Sequence, residues 1–327
     1  MPSTTTMTTA ATTTATTTQP SLWTPLRGGP VNIPEDARWE QYGFIVAGGY
    51  GEGNGTNQFK SPEGLFLDDE ENLYFADEMN HRIMKWKVNA TTGQVVAGGN
   101  GRGNETHQLD YPTDVIVDKE TDSLIICDCG NKRVVRWPRQ NRTSGPTIIL
   151  HVDCWGLTMD ESGSFYVTLP NEHVVRRYER GDSVGTVVAG GNGRGSNLNQ
   201  LNRPSFIFVD QDHSVYVTDH YNDRVMKWKK NAETGIVVAG GHGEGSSLEK
   251  FQNPRGVVVD KSGTVYVADD SNHRIMRWTE GARQGSAVID GKAGQWKGAD
   301  GLTFDRYGNL YVVNLDSYRV RRFDLIK

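Results

Sequence analysis

From Phe44 onward the apolar residues of this chain come in short runs, and the runs come in sets of four. The stretch Gln94–Trp137, QVVAGGNGRGNETHQLDYPTDVIVDKETDSLIICDCGNKRVVRW, shows the unit. A first run enters a glycine-rich turn. Gln-Leu and a Pro lead to a second run closed by Asp118. An acidic turn leads to a third run ending in Asp128, and a tight turn with Asn131 and Arg133 leads to a fourth closed by Trp137. The runs lack a helical period and are bounded by Gly, Asn and Asp, so each is read as a strand.

The unit recurs along the chain. An Asp closes the innermost run at Asp68, Asp118, Asp160, Asp210, Asp260 and Asp305. An aromatic closes each unit at Trp86, Trp137, Tyr178, Trp228, Trp278 and Phe323. Six units of four short strands predict an all-β fold, a six-bladed β-propeller. The glycine loop precedes the first, second, fourth and fifth units and is replaced by shorter connections before the third and sixth, so the chain reads as two three-blade halves. The last unit lacks its outer strand, and Phe44–Gly49 at the other end is an unassigned copy of it. The N-terminal strand is therefore expected to close the last blade, which removes both open sheet edges.

The pattern Pro-x-Gly-apolar-Asp, then Tyr-Val-Ala-Asp, then Asn-x-Arg and an aromatic resembles the NHL repeat, most clearly in Asn253–Trp278, NPRGVVVDKSGTVYVADDSNHRIMRW. The resemblance covers residues 44–327 and departs from the pattern in the third and sixth units. It implies a propeller but no single activity. Similar propellers occur as substrate- or RNA-binding domains of RING-type ubiquitin ligases, as ectodomains of bacterial kinases and as an amidating lyase, whose catalytic residues have no position-by-position match here. Fold alone does not choose among them.

The chain divides into a Thr-rich tail and linker over 1–35, expected to be disordered, and the propeller over 36–327. The tail has neither the basic start nor the apolar stretch of a signal peptide. No run is long and apolar enough for a transmembrane helix. A net charge of −5 gives no bulk attraction to nucleic acid. Sequons at Asn54, Asn89, Asn104 and Asn141, with the Thr tail, favour an extracellular or membrane-tethered ectodomain over a cytoplasmic protein. Cys127, Cys129 and Cys154 are too few for a disulfide scaffold and are read as buried thiols, the first two on one face of a strand.

The AGGNGRG loop is read as a turn needing positive φ rather than a phosphate or calcium cradle. The Asp/Asn/Arg sets, such as Asp77, Asn80 and Arg82, resemble a catalytic array, but one active site needs one copy, so they are read as scaffold. The histidines show no metal-ligand spacing, and no cofactor, metal or catalytic residue is assigned. Basic residues on the third strands, among them Lys85, Arg136, Arg177 and Lys227, are read as a solvated rim. The function expected is a monomeric, non-enzymatic scaffold offering one propeller face to a protein or carbohydrate ligand. A metal-dependent lyase or hydrolase in the channel, and an RNA-binding or ubiquitin-ligase adaptor module, are the alternatives. The candidate ligand-binding residues are Trp155, Trp296, Met79, His81, His220, Tyr221, His242 and His273. Trp155 and Trp296 stand out because they sit in the two short connections, outside the repeat aromatic position.

Overall fold

The computed structural model describes residues 31–140, 143–291 and 297–326. Six four-stranded antiparallel sheets form six blades. Blade 1 runs from its innermost strand outward as Pro62–Leu67, Leu73–Asp77, Arg82–Trp86 and Gln94–Gly98. Blades 2 to 5 repeat this order, with innermost strands Pro112–Asp118, Leu157–Met159, Pro204–Val209 and Pro254–Val259. Blade 6 holds Ala299–Phe304, Leu310–Asn314 and Arg319–Phe323, and its outer strand is Phe44–Gly48. The expected closure is therefore present, with Phe44 opposite Arg322 and Gly48 opposite Arg319. Each innermost strand packs on the next, and that of blade 6 returns to blade 1, closing the ring.

The repeat aromatics Trp86, Trp137, Tyr178, Trp228, Trp278 and Phe323 are all buried, which explains their fixed position. The glycine of the Pro-x-Gly signature has a different cause. At Gly64 a Cβ would stand 2.1 Å from Asp114 Oδ1, and at Gly256 it would stand 2.5 Å from the Asp300 carbonyl. Neighbouring innermost strands approach too closely there for any side chain.

Upstream of the closing strand, Val31, Ile33, Ala37 and Trp39 are buried in the core cluster that includes Tyr266 and Phe304. Trp39 Nε1 donates to the Gly308 carbonyl at 2.8 Å, and Arg38–Trp39 pairs with Leu325–Ile326. The packed structure thus reaches upstream of residue 36 at least to Val31.

The cysteine reading is corrected. Cys127 is disulfide-bonded to Cys154, joining a blade 2 strand to the short connection before blade 3. The strand ends at Asp128, so Cys129 lies on the following turn rather than on the same strand face, and it alone is a free thiol. Spacing could not show this, because the partner is 27 residues away. Among the described residues no helix is long and apolar enough to cross a membrane.

Candidate functional site

Two kinds of position meet on the face where the innermost strands begin. One kind repeats from blade to blade. Arg82 donates Nε to Asp77 Oδ2 at 2.7 Å, and its other nitrogens donate to the carbonyls of Asn54, Gly55 and Gln58 in the glycine loop. Asn80 bridges Asp77 and the Gly53 carbonyl, and Asp77 Oδ1 accepts the Lys60 backbone N–H. The pairs Arg133–Asp128, Arg224–Asp219 and Arg274–Asp269 repeat the 2.7 Å contact. Each set clamps its own loop. Blade 3, which lacks the long loop, has Leu169 and Val174 at the two clamp positions; blade 6 has Asn314 and Arg319. The loop carbonyls are consumed by the guanidinium, so these residues are scaffold and the loops are closed turns.

The other kind of position does not repeat. Five residues before each innermost Asp stand Glu63, Thr113, Trp155, Ser205, Arg255 and Asp300, one per blade. All six hold the same place in their blades, at the start of the innermost strand or, for Trp155, in the short connection just before it, at the mouth of the channel that these strands ring. They are acid, hydroxyl, indole, hydroxyl, guanidinium and acid. Arg255 lies with Nη1 3.9 Å from Asp300 Oδ2 and its guanidinium 5.7 Å from the Trp155 ring centroid. Thr113 donates to the Trp155 carbonyl at 2.7 Å, holding the short connection in place. Burial, and then the Asp300 carboxylate, push Glu63 well above the usual carboxylate range; the two carboxyls can bond only when one carries a proton. Glu63 Oε2, Trp155 Nε1, Ser205 Oγ and Arg255 Nε are buried and have no hydrogen-bond partner among the described residues.

A second tier stands over this ring on the turns after the second strands: Glu78, Cys129, Pro170, His220, Asp270 and Leu315. Burial raises Glu78, and raises Asp270 to about 7 with help from Asp300. Burial raises the Cys129 thiol to about 12, aided by nearby Asp153. Burial pushes His220 down to about 4, with nearby Arg255 acting in the same direction. His220 Nδ1 lies 3.0 Å from the Pro254 carbonyl, which can only accept, so Nδ1 carries the proton and Nε2 is the acceptor.

The candidate residues divide accordingly. Trp155 and His220 belong to the channel mouth. Met79 and Tyr221 are exposed on the turns around it, and Tyr221 lies against His220 with centroids 4.8 Å apart. His81 and His273 lie in the blade seams: the His81 Nδ1 accepts the Tyr111 backbone N–H, whereas the His273 Nδ1 lies 3.0 Å from the Asp270 carbonyl, which can only accept, and so donates to it. The His173 Nδ1, like that of His81, accepts a backbone N–H, from Arg203. His242 lies away from the ring, in a groove of about 800 Å³ lined also by Lys229, Ile236, Glu249, Trp278 and Arg283. Trp296 lies outside the described residues. Glu63, Arg255, Asp270 and Asp300 were missed, although three of them share the register position of Trp155. Among the described residues, no three His, Cys, Asp or Glu side chains converge as a metal cage would require. On the opposite face, Arg136 pairs with Asp118, Arg177 with Asp160 and Lys227 with Asp210, so these basic residues serve ion pairs.

Blades, clamp and channel together define a repeat propeller whose chemistry is concentrated at the channel mouth. A family model for the NHL repeat matches residues 251–277, within blade 5. Blade 5 thus carries an NHL repeat, within a six-bladed β-propeller. No curated protein sequence matches it. Similar solved structures include a gluconolactonase from Xanthomonas campestris, 15% identical, with TM-score 0.62 and coverage of 93% of this chain and 97% of that one. An auxiliary nutrient binding protein from Bacteroides thetaiotaomicron is 14% identical, with TM-score 0.64 and coverage of 93% and 76%. The PQQ-bound aldose sugar dehydrogenase of Streptomyces coelicolor is 12% identical, with TM-score 0.61 and coverage of 90% and 100%. At these identities the likeness is one of fold.

Proposed function

We propose that the protein is a binding propeller that takes a small, hydroxyl-rich ligand of the carbohydrate kind into the channel mouth. The observation that carries this reading is the ring Glu63–Thr113–Trp155–Ser205–Arg255–Asp300. Stability requires the same residue from blade to blade, as at the clamps, whereas recognition of one asymmetric ligand requires six different ones. An indole beside planar acid and guanidinium groups suits a sugar, which offers an apolar ring face and a belt of hydroxyls. The buried disulfide and the exposed sequon residues Asn54, Asn89 and Asn104 support an oxidising, extracytoplasmic setting. A thermal-shift screen of small polar compounds tests the reading. Hits on the native protein should be lost in Arg255→Gln and Trp155→Ala and kept in His242→Ala; hits that survive both ring substitutions refute it.

One observation favours a second reading, an acid–base hydrolase or lyase. Asp270, pushed up to about 7, and neutral His220 with an accepting Nε2 form an acid and a base on adjacent blades. Turnover of an ester or lactone panel that disappears in Asp270→Asn would support it; an inert panel would leave the binding reading alone.

A further inference from the structure

The charge balance of the channel mouth says more about what enters it. Glu63 and Asp300 in the ring, and Glu78 and Asp270 in the tier above, all stand close enough to Arg255 to favour its charged form. Asp316 from blade 6 adds to the negative potential at Asp270, and Asp153 to that at Cys129. His220 is held neutral and brings no charge. Lys297, on the lead-in to blade 6, is exposed. Arg203 is close enough to act on His220, and among the described residues Arg255 is the cation that the four carboxyls surround; it also lies over Trp155. Water would screen this imbalance at a surface, but Glu63 and Asp300 are buried. Ser205 and Glu63, each 5% exposed, carry polar atoms in the same register with no hydrogen-bond partner among the described residues. A second cation seated among the carboxyls around Arg255 would answer the imbalance and the open Glu63 oxygen.

We infer that the ligand is a hydroxyl-rich organic cation, an amino sugar being the simplest, whose ammonium is received by Glu63 and Asp270 among the carboxyls around Arg255. This rests on the channel-mouth reading above and deepens it. An ammonium rather than a metal ion is favoured because the donors form no metal cage and include one indole and one guanidinium. Binding is an exchange: the R–NH3⁺ group enters, a carboxylic acid of the cluster loses its proton to solvent, and the carboxylate so formed pairs with the ammonium. Affinity for the cation therefore rises with pH as the carboxyls ionise.

The test is calorimetric titration of the whole protein with glucosamine, glucose and N-acetylglucosamine, in buffers of different ionisation enthalpy. Glucosamine should bind at least about tenfold more tightly than either neutral sugar, release a measurable fraction of a proton near pH 7, and weaken toward about pH 5. Glu63→Gln and Asp270→Asn, each checked for native folding by circular dichroism, should each reduce both the preference and the proton release. Equal binding of glucose that depends on Arg255 and Trp155 overturns the inference while leaving the channel-mouth reading in place. Binding without proton release, binding by none of the three sugars, or calcium chloride replacing glucosamine with the same proton release also overturns it. The compound screen with ring variants judges the underlying reading separately.

Discussion

Replacing Asp219 by Ala tests whether the repeated Asp/Arg sets are scaffold. The carboxylate accepts three hydrogen bonds, from the Asn202 backbone N–H at 2.6 Å, Asn222 Nδ2 at 2.7 Å and Arg224 Nε at 2.7 Å. Its removal leaves Arg224, with a side chain 7% exposed, charged beside an apolar methyl. The guanidinium keeps the carbonyls of Ser196, Asn197 and Gln200 at 2.8–3.2 Å, which limits but does not cancel the loss. Removing one partner of a buried pair costs about 3–5 kcal/mol, and the retained carbonyl bonds place this case near the lower figure. Blade 3 suggests the control, since it carries Leu169 and Val174 at these positions. The double variant Asp219→Leu/Arg224→Val should cost less than the two single changes added together, with a coupling of about 1–3 kcal/mol. Urea unfolding measures the energies, and hydrogen exchange should show the 193–200 loop opening in the double variant while the strands stay protected. Additive single effects, or an Asp219→Ala cost under about 1 kcal/mol, would refute the clamp.

Other expectations follow from the same contacts. Trp39→Ala removes a side chain 1% exposed and its bond to the Gly308 carbonyl, so it should cost about 3–5 kcal/mol by denaturant titration; a change within about 0.5 kcal/mol would show that the segment does not support the ring. Deleting residues 31–49 should abolish cooperative melting, because it strips blade 6 of its outer strand; a retained native melt contradicts that closure. Asp270 has a folded-state pKa of about 7, above the usual carboxylate value, so its contribution to stability is lost as pH rises through about 4 to 7. Asp270→Asn should therefore raise the melting temperature more at pH 8 than at pH 5, and the reverse order would refute the assignment. Burial lowers the pKa of His173, whose Nδ1 accepts the Arg203 N–H across a seam. That part of the stability is lost as pH falls below about 6.5, and His173→Leu should flatten the acid limb of a stability–pH curve.

Much of the architecture was legible because a repeat writes each structural requirement several times. The aromatics, the innermost Asp residues and the four glycine loops marked the blades, and the orphan strand Phe44–Gly49 marked the closure. The clamp was visible as recurring Asp and Arg, but its purpose depended on which loop the guanidinium reaches. That contact spans 24–28 residues from Arg82. The disulfide was misread because Cys127 and Cys129 look like neighbours on one strand, whereas the chain turns at Asp128. The site was half legible. Trp155 stood out in its short connection, and Glu63, Arg255 and Asp300 share its register position, yet their proximity follows only from the ring, which brings residues 63 and 300 side by side. Asp270 and His220 required burial to show what they do, since exposed copies of either would be ordinary turn residues.

The central claim is that function lies where the blades differ. It is tested most directly by the crystal structure of the protein with its tightest screening hit. The account predicts ligand density bounded by Glu63, Trp155, Ser205, Arg255 and Asp300, with an ammonium next to Glu63 and Asp270. Density seated on the outer groove around Lys229, His242 and Trp278, with the channel mouth unchanged, would contradict it.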